Sequence, residues 1–278
     1  MTPPFPFADL ALSQRLERAE AAGCRGFVEA RARVEPAVGA VWRDIAGTFA
    51  MFDGPSSPIT QTFNLGMEHP VDAAQLDEIE AFFRDRQAPT FHEVSPLADD
   101  SARRLLVERG YQIVEYTSVL YRPIDPTIAL SGARNPHLRV RAMAPADIDA
   151  WVETAVAGWS EFPEYAPMMR GLSVVNTQRT DARCYLATLD DAMVATGGLS
   201  FHGDVALCAG ASTIPTARQQ GAQLALLEHR LRDAAAAGHT LAMMCARPGS
   251  GSQRNAERHG FRVAYTRVKW GLFPPSDG

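Results

Sequence analysis

The segment from Cys184 to Ile214, CYLATLDDAMVATGGLSFHGDVALCAGASTI, restricts the fold more than any other part of the chain. It breaks at Asp190-Asp191 and at His202-Gly203-Asp204, residues that favour tight turns, into three strand-like runs. A helical pattern follows from about Gly221 to Ala237 and is stopped by Gly238. TLAMMCA comes next, apolar enough for a buried central strand. Ser250 with Gln253 gives a capping-box signal for a last helix, closed by Gly260, and FRVAYTRVKWGLF reads as the final strand. Upstream, LRVRAM (138–143) alternates like a strand, and APADIDAWVETAVAGW opens a helix with Pro145 at its start and Asp147 in its first turn. The order β-α-(α)-β-β-β-α-β-α-β specifies a mixed α/β domain.

RPIDPTIALSGARNPHL (122–138) is punctuated by Pro123, Pro126, Gly132 and Pro136, which suit a linker. The expected division is a first domain over 1–125, a linker over 126–137 and a second domain over 138–278. A weak repeat supports it. Glu108-Arg109-Gly110-Tyr111 near the end of the first half matches Arg258-His259-Gly260-Phe261 near the end of the second. Each reads as a helix closed by glycine and followed by an apolar strand, with Tyr116-Thr117 echoing Tyr265-Thr266 after a one-residue slip. In the first half, ITQTFNLGM precedes a helix, DAAQLDEIEAFFRDRQ, and a strand, TFHEVS. That helix is led by EHPV, not by a glycine-rich loop, so the first half reads as a degenerate copy that shapes an acceptor pocket or mediates dimerisation.

A net charge of -5 excludes nucleic acid as the main partner, since phosphate backbones need a basic face. No run is long enough to span a membrane, and the N-terminus lacks the basic-then-apolar order of a signal peptide, so a cytoplasmic protein is expected. Cys184, Cys208 and Cys245 lie in apolar runs and read as buried core thiols; Cys24 stands apart. No metal-ligand spacing and no GxSxG is present.

The functional signal is PTARQQGAQLALL, residues 215–227. A strand over 204–214 ends at Pro215 and a helix starts within a few residues, leaving backbone N–H groups at the positive end of a helix dipole. Such a place attracts phosphate without lysine. Gly221 allows close approach and Arg218 adds a guanidinium. There is neither a Walker A pattern nor GxGxxG. An ordinary strand–helix turn fits this local pattern equally well.

With NAERHGF some way downstream, this stretch resembles the Gcn5-related N-acetyltransferase (GNAT) superfamily, over roughly residues 138–273. Arg218 and Gly221 match the first and fourth positions of that family's [Q/R]-x-x-G-x-[G/A] loop, while Gln223 departs from its small sixth residue. The resemblance implies two tandem GNAT-like domains, each with a mixed, mostly antiparallel sheet flanked by helices. It implies acetyl-CoA as co-substrate, no metal, and transfer of acetyl to an amine of a small molecule or peptide. It further implies that amides of Gln219, Gln220, Gly221, Ala222, Gln223 and Leu224 hold the pyrophosphate, and that Ser212 and Thr213 meet the pantetheine arm where this strand splays from TLAMMCA. Many members carry a tyrosine four residues before the glycine of the Gly-Phe pair; here that position is Ala256. Neighbouring Asn255 is a candidate contact to the coenzyme, and Tyr265 a candidate proton donor or a structural aromatic.

GWSEFPEYAPMM, after the first helix of the second half, supplies acceptor candidates. Glu161, Glu164 and Tyr165 can bind or deprotonate an amine; the plain alternative is a solvated turn with Trp159 and Phe162 packed inward. His202, in a separate hairpin turn, reads as exposed and without a role. Against a direct N-acetyltransferase stand a non-catalytic acyl-CoA-binding or regulatory protein and a pair of domains that bind no coenzyme.

Overall fold

The computed structural model describes residues 4–273 except 126, 128, 129, 131 and 133, so the expected linker is only partly among the described residues. In chain order the elements are α1 (Leu10–Val34), β1 (Val41–Ile45), β2 (Thr48–Phe52), β3 (Gln61–Phe63), α2 (Ala73–Arg84), β4 (Thr90–Val94), α3 (Asp100–Glu108) and β5 (Gln112–Pro123). There follow β6 (Leu138–Ala142), α4 (Ile148–Ala157), α5 (Ala166–Thr177), β7 (Ala182–Leu189), β8 (Ala192–His202) and β9 (Val205–Thr213). The chain closes with α6 (Ala222–Ala236), β10 (Leu241–Ala246), α7 (Gly251–Arg258) and β11 (Arg262–Leu272). The long α1 and the β1–β2 hairpin, which turns on Ala46 and Gly47 at φ 48° and 81°, add elements that the patterns above do not specify.

The chain divides into two compact units that interleave along the sequence. The first gathers Pro6–Leu120 with Cys245–Ala256 and residues 262–273. The second gathers the described residues of Tyr121–Met244 with Glu257–Phe261 and residues 4–5.

In the first unit the strands run β1-β2-β3-β4-β11-β5. β11 pairs antiparallel with β4, from Val268 opposite Val94 to Leu272 opposite Thr90, while β3 and β4 are parallel and in register only at Thr62 and His92. On α2, Leu76, Ile79, Phe82 and Phe83 recur on one helical stripe and pack with Phe52, Leu65 and Leu106. Ile79 and Phe83 are fully buried, each stabilising by about 1.5–3 kcal/mol. A separate cluster joins Ala21 and Val28 of α1 to Met51 and Phe63. Asp72 and Asp99 cap α2 and α3 by accepting from Gln75 N at 2.8 Å and Ser101 N at 3.0 Å. α3 ends as its sequence requires: Gly110 sits at φ 80° and Tyr111 N donates back to Leu106 O at 3.0 Å.

In the second unit the strands run β10-β9-β8-β7-β6. β7 and β8 turn through Asp190 and Asp191, both at positive φ (47° and 68°) as a two-residue hairpin demands. The adjacent glycines of β8 serve opposite faces of the sheet, because successive residues of a strand point to opposite sides. A Cβ on Gly197 would lie 3.2 Å from the Arg230 guanidinium of α6; one on Gly198 would lie 3.4 Å from the Asn176 amide of α5. Arg230, buried, donates to Gly198 O at 3.0 Å. Beneath α4, buried Trp151 donates to Tyr185 O at 2.9 Å and packs on Leu186 and Cys184. The mixed, mostly antiparallel sheets flanked by helices agree with the α/β expectation.

Candidate functional site

After β9, Ile214 N donates to Val194 O at 3.0 Å, and Pro215–Ala217 make a short 3-10 turn. Gln219 then takes φ 63°, and Gly221 takes φ 90° as the residue that caps α6. Glycine is needed at Gly221 because side chains strain that left-handed backbone. It also leaves the helix without a side-chain cap. The first helical bond joins Ala225 N to Gly221 O at 3.0 Å. Among the described residues, the backbone N–H groups of residues 219–224 donate to no partner. α1, α2 and α3 differ: each has an aspartate carboxylate on its first turn. The N-terminus of α6 thus keeps unsatisfied donors at the positive end of its dipole.

β9 supplies a second half-built surface. β10 pairs with it only from Leu241 to Met243, opposite Val205 to Leu207, so β9 has no β10 partner from Cys208 on. Its exposed residues are Ala209, Gly210 and Ala211, where the register against β8 slips and Gly210 sits at φ 61°. This is a bulge with glycine at the extra residue, a device that breaks the ladder and redirects the strand. The Asn176 amide lies 3.2 Å from where a Gly210 Cβ would be. Of the expected pantetheine contacts, Ser212 Oγ donates to buried Ala155 O at 2.9 Å, and Thr213 Oγ1 accepts from Gln223 Nε2 at 2.6 Å. Gln223, where the loop pattern departs from the family's, therefore folds back onto β9.

Arg218 does not stand free. Its guanidinium pairs with the Glu161 carboxylate and donates to Gly158 O at 3.0 Å. Two residues singled out on separate stretches of sequence are thus joined. Gly158 itself, which no sequence signal marked, stacks against the end of β9: a Cβ there would lie 1.8 Å from Ser212 Oγ and 3.1 Å from Thr213 N. Trp159 and Phe162 correct the inward-packing expectation, being 37% and 50% exposed. Glu164 and Tyr165 are exposed beside them on the Pro163–Tyr165 turn.

The remaining candidates lie in the first unit. Asn255 is on α7, next to fully buried Ala256. Ser250 Oγ accepts from Gln253 N at 3.2 Å, but the Gln253 side chain turns to Gly249 N. Tyr265 is buried and donates to Glu17 Oε1 at 2.7 Å. Tyr116 is half exposed, so the echo between the two tyrosines does not extend to their surroundings. Burial, with the Glu17 charge, raises the Tyr265 pKa. The same pocket holds Arg267, which pairs with Glu17 at 3.3 Å, with Glu20, and with Glu93 at 3.6 Å. Burial lifts the Glu17 carboxyl to about 7, against the opposing pull of Arg267.

Cys245 corrects the core-thiol reading: it is only half buried and its Sγ donates to Glu20 Oε2 at 3.0 Å. Cys184 and Cys208 are buried, and burial pushes the Cys184 thiol up to about 12. His202 is half buried, not exposed, with Nε2 3.0 Å from Ser200 Oγ. Among the described residues no group of His, Cys, Asp and Glu is arranged to hold a metal, and no helix is long and apolar enough to cross a membrane.

No protein-family model and no curated protein sequence matches the chain. Solved structures do. A GCN5-related N-acetyltransferase from Kribbella flavida aligns over 88% of this chain and 95% of its own, at 20% identity and TM-score 0.62. One from Sphaerobacter thermophilus covers 76% and 71%, at 19% identity and TM-score 0.55. A tandem GNAT protein from the clavulanic acid biosynthesis pathway covers 83% and 79%, at 15% identity and TM-score 0.55. At such identities the likeness is one of architecture, and the chain has the fold of the GCN5-related N-acetyltransferases.

Proposed function

We propose that the protein is a cytoplasmic N-acetyltransferase that moves acetyl from acetyl-CoA directly to an amine of a small molecule or peptide within a ternary complex. The observation that carries this reading is the uncapped start of α6, where residues 219–224 keep free N–H groups beside the unpaired edge of β9. That arrangement fits the coenzyme: amides at a helix N-terminus suit a pyrophosphate, and an unpaired strand edge suits the amide-bearing pantetheine arm. The coenzyme supplies an acetyl thioester, whose carbon–sulfur bond breaks as the carbon–nitrogen bond forms; the sulfur leaves as thiolate, its charge balanced by the proton the amine gives up. The chain's part is to hold the amine in line and to give hydrogen bonds to the carbonyl as charge develops there. We assign that donation to the bulged backbone around Gly210, and the amine's proton to Glu164 or to Glu161 when Arg218 releases it. Asn255 and Tyr265 receive no chemical role, Tyr265 because its hydroxyl is already given to Glu17. The first unit we read as a degenerate copy, since the Asp72 carboxylate on the first turn of α2 opposes a phosphate.

Calorimetric titration with acetyl-CoA tests the reading. Wild-type protein should bind saturably, and Gly221→Val should lose binding while keeping its circular dichroism spectrum; equal affinity in the variant would reduce the loop to a turn. Buried Ala256, at the position where many family members carry tyrosine, favours a second reading, an acyl-CoA-binding protein without catalysis. Release of free thiol from acetyl-CoA across a panel of amines separates the two.

A further inference from the structure

The loop after α4 turns its apolar side chains outward. Trp159, Phe162, Tyr165 and Met168 are 37%, 50%, 44% and 38% exposed. Tyr165 links the rings, 6.4 Å from Trp159 edge-on and 6.3 Å from Phe162. Successive turns fix the backbone beneath them: Phe162 N donates to Trp159 O at 2.8 Å and Tyr165 N to Phe162 O at 3.0 Å. The three linked rings form an exposed apolar cluster, the kind of surface feature that often serves as a place of contact.

Its charges indicate the sign of the partner. Glu164 lies within the patch with no described partner, and Glu161 is held there by Arg218. The nearby Arg170 is engaged through both arms by Glu153. No cation of the loop is left to receive an anionic ligand. The patch is also tied to the proposed transfer site: Arg218 reaches from the α6 loop to Glu161 and to Gly158 O, and Gly158 abuts Ser212 and Thr213 at the end of β9.

We propose that the acceptor is an arylalkylamine, an amine carrying a flat aromatic group that rests on Trp159, Phe162 and Tyr165 while its ammonium faces Glu164. As an acceptor it rests on the acetyltransferase reading; as a ligand of this surface it does not. Ring-on-ring contact favours such a molecule over an aliphatic amine of equal charge, because both present the same ammonium and only the aromatic one adds a ring.

The test is calorimetric titration of the full chain with 2-phenylethylamine and with propylamine, each with and without CoA. The aromatic amine should bind about tenfold more tightly or better. Phe162→Ala and Tyr165→Ala should abolish that preference with unchanged melting temperature, since both side chains are exposed. Equal affinity for the two amines in both conditions overturns the proposal, as does a preference that survives both substitutions. Sedimentation revealing a dimer that Phe162→Ala dissolves would also overturn it, assigning the patch to a second copy of the chain. Failure here with intact acetyl-CoA binding leaves the transfer reading standing; loss of acetyl-CoA binding with the aromatic preference intact does the reverse.

Discussion

Gly158→Ala is a substitution whose sign the structure reverses. Gly158 lies at φ -64°, ψ -14° at the end of α4, ordinary helical backbone in which alanine is unstrained. Replacing glycine by alanine at such a position ordinarily stabilises by about 0.4–1 kcal/mol, through the unfolded chain. Here the new Cβ would stand 1.8 Å from Ser212 Oγ, so that hydroxyl must rotate away and abandon its 2.9 Å bond to Ala155 O. Loss of that buried bond and the stranded carbonyl cost about 1–3 kcal/mol. Rotation does not relieve the 3.1 Å approach to Thr213 N, which is backbone, and such overpacking costs about 1–3 kcal/mol more. The clash outweighs the gain, and the net expectation is about 2–4 kcal/mol of destabilisation. Urea denaturation of the wild type, Gly158→Ala, Ser212→Ala and the double variant reads it. Ser212→Ala should destabilise by about 1 kcal/mol in the wild type, and by less, or not at all, once alanine occupies position 158. A Gly158→Ala protein as stable as the wild type would refute the close approach of the α4 loop to β9.

The buried acidic pocket of the first unit gives two more expectations. Glu17, lifted by burial from 4.5 to about 7, binds its proton more tightly folded than unfolded. Its contribution is therefore fully present below about 4.5 and is lost as pH rises through about 7, a span of about 3 kcal/mol. Glu17→Gln should flatten that decline and be neutral or stabilising at pH 8, as read by melting temperature against pH; an unchanged profile would contradict the assignment. Arg267→Met leaves Glu17, Glu20 and Glu93 facing one another without their cation and should cost about 3–5 kcal/mol at pH 8. That cost should shrink at pH 5, where Glu17 and Glu93, both raised by burial, can take up protons.

What could be read from residues alone followed local chemistry. The Asp190-Asp191 turn, the glycines that close α3 and α7, and the strand–loop–helix at Gly221 are each set by backbone preferences within a few residues. α1 escaped because its pattern has many small and charged residues, and its burial depends on Met51 and Phe63 elsewhere. The pairing of β11 with β4 could not be read either, since no local signal couples strands so far apart in the chain. Around the candidate site, Arg218 and Glu161 were each visible as charged loop residues, yet their pairing is purely tertiary. Trp159 and Phe162 look like core residues by hydrophobicity, yet both are exposed, since whether an apolar side chain is covered depends on tertiary packing. Gly158 and Gly210 carry no motif, and their need for glycine lies in Ser212 Oγ, 1.8 Å from where a Gly158 Cβ would stand, and in a bulge at φ 61°.

The proposed function requires the amides before and within the first turn of α6 to receive a pyrophosphate. Amide-resolved NMR of isotopically labelled protein titrated with acetyl-CoA locates that contact. The largest shifts are expected at Gln219 to Leu224 and along the open edge of β9 at Ala209 to Thr213, with little change at Ala73 to Leu76, where Asp72 caps α2. Shifts centred on the start of α2, or no saturable change up to about 1 mM, the upper end of ordinary enzyme affinities, would contradict it.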